Sequence, residues 1–356
     1  MPEVIDEIPR PHDSPFARLR ARFLRGGTIR RLADLVALIY IGFIATAATV
    51  TGAYYMLFPE LSALSWDVME RPRGRWAGAP LMLAATPALT GFAGTIVTRS
   101  LTYGFISVFL TVLVSLAILR TMRSPIAPAI SAGLLPLVLG VTSWWYSPSI
   151  LFGTSLLAAI SFPWKRYAAA HGPSAKASDD AVHASAVSSH AATSANSDAP
   201  SPTAASRLLP PLLSFMAIAM IAVKLTGMRF ILFPPLVVIL YEMLSHREHC
   251  PWVGRPIALP VACFTSALGG YFFFAHLASA PIVAMLSMAW GIAVLRTLNL
   301  HMPPVLAVAL LPLVMAHPTI AYPVSVGLGT MLASAWFELL CRWQWIEPLP
   351  SSSASS

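Results

Sequence analysis

Charge is scarce along this chain: Asp, Glu, Lys and Arg together make up 11% of its 356 residues, against 56% hydrophobic residues. Soluble domains carry roughly 25% charged residues, and a water-exposed surface of this size cannot be covered with so few. The deficit excludes a soluble globular domain, a disordered chain and a coiled coil. Cysteine is nearly absent as well. Cys250, Cys263 and Cys341 show no CxxC spacing, which argues against a disulfide framework or a zinc site, and nothing else in the sequence asks for a cofactor. Long apolar runs are present instead, so the chain reads as an integral membrane protein whose first partner is the lipid bilayer. The net charge of +8 does not point to nucleic acid. The basic residues gather at the ends of apolar runs, the pattern that orients a protein in a membrane.

Residues 1–32 form a polar tail carrying Arg18, Arg20, Arg22, Arg25, Arg30 and Arg31. It has neither the apolar stretch nor the small-residue cleavage site of a signal peptide. It reads as an anchor holding the N-terminus in the cytoplasm, or else as a lipid-surface helix with Phe16, Leu19 and Phe23 on one side. Apolar segments follow at about 33–57, 79–98, 103–120, 126–145 and 147–163, each long enough to cross a bilayer as a helix. Phe58–Met69 is too short to cross alone. The stretch 168–206 is rich in Ala, Ser and Pro and reads as a disordered linker, in which His171, His183 and His190 are incidental. Apolar segments then resume at 208–232, 233–244, 256–275, 280–298, 303–317 and 320–340, before a polar tail at 346–356. Two membrane units are implied, 33–167 and 207–345.

The second unit repeats the first. A shift of 176 places Ala117–Leu156 on Ala293–Leu332 without a gap, and 15 of the 40 positions are identical. Leu134-Leu135-Pro136-Leu137-Val138 falls on Leu310-Leu311-Pro312-Leu313-Val314, and Tyr146, Gly153 and Thr154 fall on Tyr322, Gly329 and Thr330. Nearer the N-terminus the shift is 175, so that Leu57-Phe58-Pro59 meets Leu232-Phe233-Pro234 and Asp67 meets Glu242. Apolar composition alone does not align prolines, glycines, an arginine and an acid. The expected fold is therefore an all-α, polytopic transmembrane bundle of two tandem repeats, with about eight to ten spanning helices plus short half-helices. The repeats are parallel if the proline-rich segments 126–145 and 303–317 cross only partly, and inverted if they cross fully. Arg71, Arg73 and Arg75 would lie outside in the parallel arrangement, which counts against it.

Each unit contains two segments that open with proline. They begin at Pro59 and at Pro125–Pro128 in the first unit, and at Pro234-Pro235 and Pro303-Pro304 in the second. Proline suits a first helical turn, so each start leaves free N–H donors at membrane depth, a natural anion site. A kink in a continuous helix is the plainer alternative. Ionisable residues near apolar runs are candidates for a substrate path. Arg120 and Arg296 end equivalent helices and either line that path or snorkel to headgroups. Asp67 and Glu242 end the short segments and either carry a proton or mark the interface. His301 opens a proline-initiated helix in one half only, since Pro125 takes its place in the other. No catalytic motif is present, so the chain does not read as an enzyme.

A four-span unit with an early Pro-rich half-helix and a late His-Pro-Pro segment resembles the HPP family of membrane proteins. The second unit carries the likeness in Phe233-Pro234-Pro235-Leu236 and in His301-Met302-Pro303-Pro304-Val305-Leu306-Ala307, with Met302 interposed in the naming motif. The resemblance implies a transporter, and one branch of that family resembles nitrite carriers. The expectation is an inner-membrane transporter or channel for a small solute, with a small anion such as nitrite as candidate, in a chain able to oligomerise. Two other classes stay open. One is a membrane scaffold or accessory subunit, and the other an intramembrane lipid-modifying enzyme built on an acid–histidine pair such as Glu242 with His301.

Overall fold

The computed structural model describes residues 15–171, 202–245, 250, 252, 253 and 255–343, with backbone alone at 15–26 and 202–207. Residues 1–14, most of the expected linker and the 346–356 tail lie outside the described residues, as do the side chains of Phe16, Leu19 and Phe23. Thirteen helices and no strand occur among the described residues. They are α1 (Pro15–Thr51), α2 (Glu60–Glu70), α3 (Arg75–Gly78), α4 (Pro80–Ser100), α5 (Phe105–Thr121), α6 (Ala129–Leu139) and α7 (Tyr146–His171), then α8 (Pro202–Thr226), α9 (Pro234–Ser245), α10 (Ala258–His276), α11 (Ala280–Thr297), α12 (Pro304–Leu310) and α13 (Ala321–Arg342).

Six of these are long and apolar enough to cross a membrane: 27–51 of α1, α4, 208–226 of α8, α10, α11 and α13. With α5 and α7, which stand where α11 and α13 stand in the second half, the full-length rods number eight, the low end of the expectation. Helix also invades the expected tail and linker. Residues 15–32 belong to α1, α7 runs to His171, and α8 begins at Pro202. Between Pro163 and Gly172 the chain holds no breaker, only helix-tolerant Lys, Arg and Ala among aromatics, so the helix outlasts its apolar part.

The segments read as 126–145 and 303–317 are not spanning helices. Their helical cores are the 11 residues of α6 and the 7 of α12, the latter followed by a 3-10 turn at Leu311–Val314. Each of the four proline starts opens a short helix after non-helical chain, so none is a kink in a continuous rod. Elements recur in the same order at the offsets read from the sequence, down to unusual backbone. Gly52 and Gly227 both have φ near +72°, and non-glycine Arg123 and Asn299 both have φ 50°. At the latter pair Ser124 N–H bonds Leu119 C=O and Leu300 N–H bonds Leu295 C=O, each at 2.9 Å, a left-handed helix stop that sends the chain back into the bundle.

The short helices complete crossings together with the turns and 3-10 segments before them. Thr51 lies at the far end of α1 from Asp34, yet Trp66 of α2 bonds Asp34 and Trp164 of α7 bonds the Met69 carbonyl. Leu61, near the start of α2, packs on Gly153, whose carbonyl accepts the Tyr40 hydroxyl of mid-α1. Residues 52–70 thus return the chain from one end of the bundle to the other, with α2 covering the second half of the journey. Residues 122–140 do the same, since Ser124 bonds Thr86 near the start of α4 while Arg99 at its end bonds the Thr142 carbonyl. Six passes per half bring the chain back to its starting end. That corrects the objection from Arg71, Arg73 and Arg75: the return pass at 52–70 places them at the same end as Arg30, which meets Glu70.

Two details hold the interrupted helices in place. Pro136 and Pro312 carry no N–H, so the carbonyls four residues earlier, Ala132 and Val308, lose their helical partners. The Tyr146 and Tyr322 hydroxyls donate to those two carbonyls at 2.9 and 2.6 Å. Each repeated proline is thereby matched by a repeated tyrosine ten residues on. Gly94 of α4 and Gly270 of α10 lie directly against the backbone carbonyls of Gly133 in α6 and Ala309 in α12, leaving no room for a Cβ. Such close approach through small residues is how helices pack in lipid, where burial of apolar surface gives no advantage. Across the halves α2 packs on α12 and α6 on α9.

In a cysteine-replaced background, single cysteines at Arg73, Arg123 and Asn299 are expected to react with a membrane-impermeant maleimide from one side of the bilayer. Cysteines at Thr102 and Ala278 should react from the other. Labelling of residue 73 from the side opposite residue 123 would contradict the return pass at 52–70.

Candidate functional site

The ionisable residues gather at the end of the bundle where α2 and α11 finish. Arg296, last-turn residue of α11, donates to Glu70 Oε1 at 2.7 Å and to Asp34 Oδ1 at 3.0 Å. His301 follows in the connection between α11 and α12, outside the long apolar helices. Its Nε2 lies 2.8 Å from Asp67 Oδ1 and its Nδ1 lies 3.2 Å from Glu70 Oε2. Arg71 bonds Asp67, Arg30 approaches Glu70 Oε1 at 3.2 Å, and Trp66 donates its indole N–H to Asp34 Oδ1 at 2.8 Å. The Trp66 ring also stacks on the His301 imidazole, with centroids 4.7 Å apart. Three acids of the first half therefore hold two bases of the second.

Both imidazole nitrogens face carboxylate oxygens, an arrangement suited to the doubly protonated ring. Burial alone would lower the basicity of His301. The carboxylates of Asp67 and Glu70 outweigh it, and His301 titrates above its ordinary value.

The network forms in one seam only. At the equivalent offset, Leu209 stands where Asp34 stands and Ser245 where Glu70 stands, while Pro125 replaces His301. Arg120, counterpart of Arg296, accordingly remains exposed at the end of α5 and stays out of the cluster. In place of the expected Glu242, His301 pairs with Asp67 and Glu70 of α2, which packs on α12 as α9 also does.

Glu242 is nonetheless close by. A cavity of about 250 Å³ is lined by Asp67, Glu242, Arg75, Trp76, Trp252, Pro125, His301, Pro303 and Pro304 among others. Offset-related pairs face each other across it: Asp67 and Glu242, Trp76 and Trp252, Pro125 and His301. At the opposite end, α1, α10 and α11 border a second cavity of about 200 Å³ that reaches Leu57 and Leu313. Pro234 and Pro235 lie buried at the start of α9, away from both. Pro125, Pro303 and Pro304 of two proline starts lie on the wall of the first cavity, and α2 runs from beside Leu57 at the second to Asp67 at the first.

Three acids escaped notice in the sequence. Asp34 and Glu70 sit one turn inside or at the edge of apolar runs, where an acid reads as a boundary. Glu60 directly follows Pro59, where an acid reads as ordinary decoration of a first turn. In the structure Glu60 is 2% exposed. The signal available was its place, one residue into a proline-opened segment flanked by apolar chain.

Compared with known proteins, the chain matches no family model, no curated protein sequence and no solved structure.

Replacing Arg296 by Ala leaves Asp34 and Glu70 short of a charged partner. It should lower stability in detergent by about 1–3 kcal/mol, the scale for a lost hydrogen bond to a charged group. Glu70→Gln should cost a similar amount, and the double variant less than the sum, because the two residues share one network. Thermal unfolding of the four proteins checks this. Because His301 is more basic folded than unfolded, its contribution is complete below about pH 6.5 and disappears as pH rises through the folded value. Melting temperature should therefore fall on that alkaline side in the native chain, and fall less in His301→Gln.

Proposed function

We propose that this multi-pass membrane protein is a transporter or channel of the plasma (inner) membrane that moves a small solute along the seam between its two halves. A small anion such as nitrite is the first candidate. The observation that carries the reading is the pair of cavities at opposite ends of the seam, joined by α2, with Leu57 just before it lining one and its Asp67 lining the other, and with the proline starts before α6 and α12 on the wall of the one at the charged end. Helix starts present unpaired N–H donors and partial positive charge, and interrupted helices at mid-depth are where transporters place their sites. The matching backbone features at the offsets of 175 and 176 support an origin by duplication, with copies of the same orientation, and the element order is compatible with the HPP-like reading.

In this reading the solute enters the cavity beside His301, Pro303 and Pro304, with Glu242, Asp67 and Arg75 at its mouth. Arg296 acts indirectly, holding α2 against α11 so that the mouth keeps its shape. Arg30, Arg31, Arg71, Arg73, Arg75, Lys165 and Arg166 occupy this end, against Arg99, Lys224 and Arg229 at the other. That bias assigns the charged mouth and the N-terminus to the cytoplasm.

Proteoliposomes containing the full chain should take up nitrite or nitrate faster than empty vesicles, and His301→Ala should slow that uptake. No uptake of any small anion, or variants at His301 and Arg296 that both match the native rate, would overturn the reading.

A further inference from the structure

Among the described residues Glu60 is the one buried carboxyl the charged cluster leaves unexplained. It is the first residue of α2, it is 2% exposed, and neither of its carboxylate oxygens has a hydrogen-bond partner. It takes part in no ion pair among the described residues.

Its surroundings supply no counter-charge. From α1 the titratable group is Tyr40, whose hydroxyl is committed to the Gly153 carbonyl. From α7 and α13 come Tyr146 and Tyr322, both within electrostatic reach of Glu60 and both committed to the carbonyls orphaned by Pro136 and Pro312. The α12 segment packed on α2, Pro304–Leu310, is wholly apolar. Arg75, of α3, lines the cavity at the basic end. The other charges of α2, Asp67 and Glu70, lie two to three turns away and are engaged by Arg71, His301 and Arg296.

A capping role fails too, because a first-turn acid contributes through contact with free N–H groups and the Glu60 oxygens accept none. A bare carboxylate in apolar surroundings is strongly disfavoured unless it is paired or takes up a proton. No pairing group is present. At the equivalent place in the second half stands Pro235, so whatever Glu60 does is done once per chain.

We propose that Glu60 is a proton-binding site at the middle of the seam. It exchanges its proton with one end of the bundle at a time, so that solute movement is coupled to a proton. The coupling rests on the transport reading above, whereas the proton site itself does not. The position fits, since the start of α2 lies in the layer between the two cavities and is reached from either end only by local opening.

N,N′-dicyclohexylcarbodiimide tests the site without any transported solute. The carboxyl proton passes to a carbodiimide nitrogen, the carboxyl oxygen bonds the carbodiimide carbon, and the adduct rearranges to a stable N-acylurea. In the folded full-length chain, peptide mass mapping should find Glu60 modified ahead of Asp67 and Glu70, with modification declining as the medium goes from mildly acidic to alkaline. An unmodified Glu60, or one modified equally across that range, overturns the proton site.

In proteoliposomes an inward proton gradient should drive nitrite accumulation. Glu60→Gln should lose the gradient-driven part and the accompanying proton movement, and Glu60→Asp should regain proton movement. The thermal unfolding of each variant shows whether it has folded. Nitrite uptake by the native chain that ignores the gradient overturns the coupling and leaves the transport reading standing. Absence of uptake in the native chain overturns the transport reading, and the labelling result then stands alone for Glu60.

Discussion

Backbone that stops being helical inside a bilayer has to find its hydrogen bonds within the protein. Each half of this molecule stops being helical twice, at prolines, and most of the architecture follows from accommodating that. The non-helical residues that lead directly into the short helices, 57–59 and 126–128 in the first half, cannot face lipid and lie buried among the long rods. The rods approach the short helices closely where Gly94 and Gly270 admit a neighbouring carbonyl. The prolines inside the short helices create a further debt of two unbonded carbonyls, and Tyr146 and Tyr322 settle it. Leu-Leu-Pro-Leu-Val and the tyrosine ten residues later form one structural device, used once in each half.

Against that shared frame, charge is distributed unequally. One seam carries Asp34, Asp67 and Glu70 facing Arg296 and His301. The other offers Leu209 and Ser245 to an arginine that stays in solvent. Ion pairs partly screened from water hold their geometry better than exposed ones, so the two seams are not mechanically equivalent. The charged seam is the one that α1 and α11 close along their length, while α5 and α8 meet more sparsely. The charged contacts thus latch the two halves together at one seam and not at the other among the described residues. The latch lies at the mouth of the cavity that Glu242, His301 and the paired prolines line.

The residues that carried the sequence argument fared according to what they depend on. Proline starts were legible because a missing N–H acts within one turn, and all four open short helices. His301, Asp67 and Arg296 were legible as ionisable residues beside apolar chain, and they meet. Arg120 looked equivalent to Arg296 because its own neighbourhood is nearly identical. What separates the two is residue 34 against residue 209, far away in sequence. Asp34, Glu60 and Glu70 passed as boundary or first-turn acids because each sits near a segment edge, and only the folded chain shows that the edge of α2 lies deep in the bundle. The tail and linker boundaries were set by where apolarity ends, whereas helices end where a breaker stands.

By itself the sequence determined the class of solvent, the helical character and the places where helices break. Those depend on composition and on the backbone chemistry of proline and glycine, which act locally. The tertiary structure alone decided which half-helix lies beside which, that residues 52–70 return the chain across the bundle through a 3-10 turn and a short helix, and that one carboxyl among the described residues is left without a partner at the centre. Partnership between side chains more than a hundred residues apart depends on how the rods cross. That crossing is set by the summed packing of both halves, which no single stretch of sequence encodes.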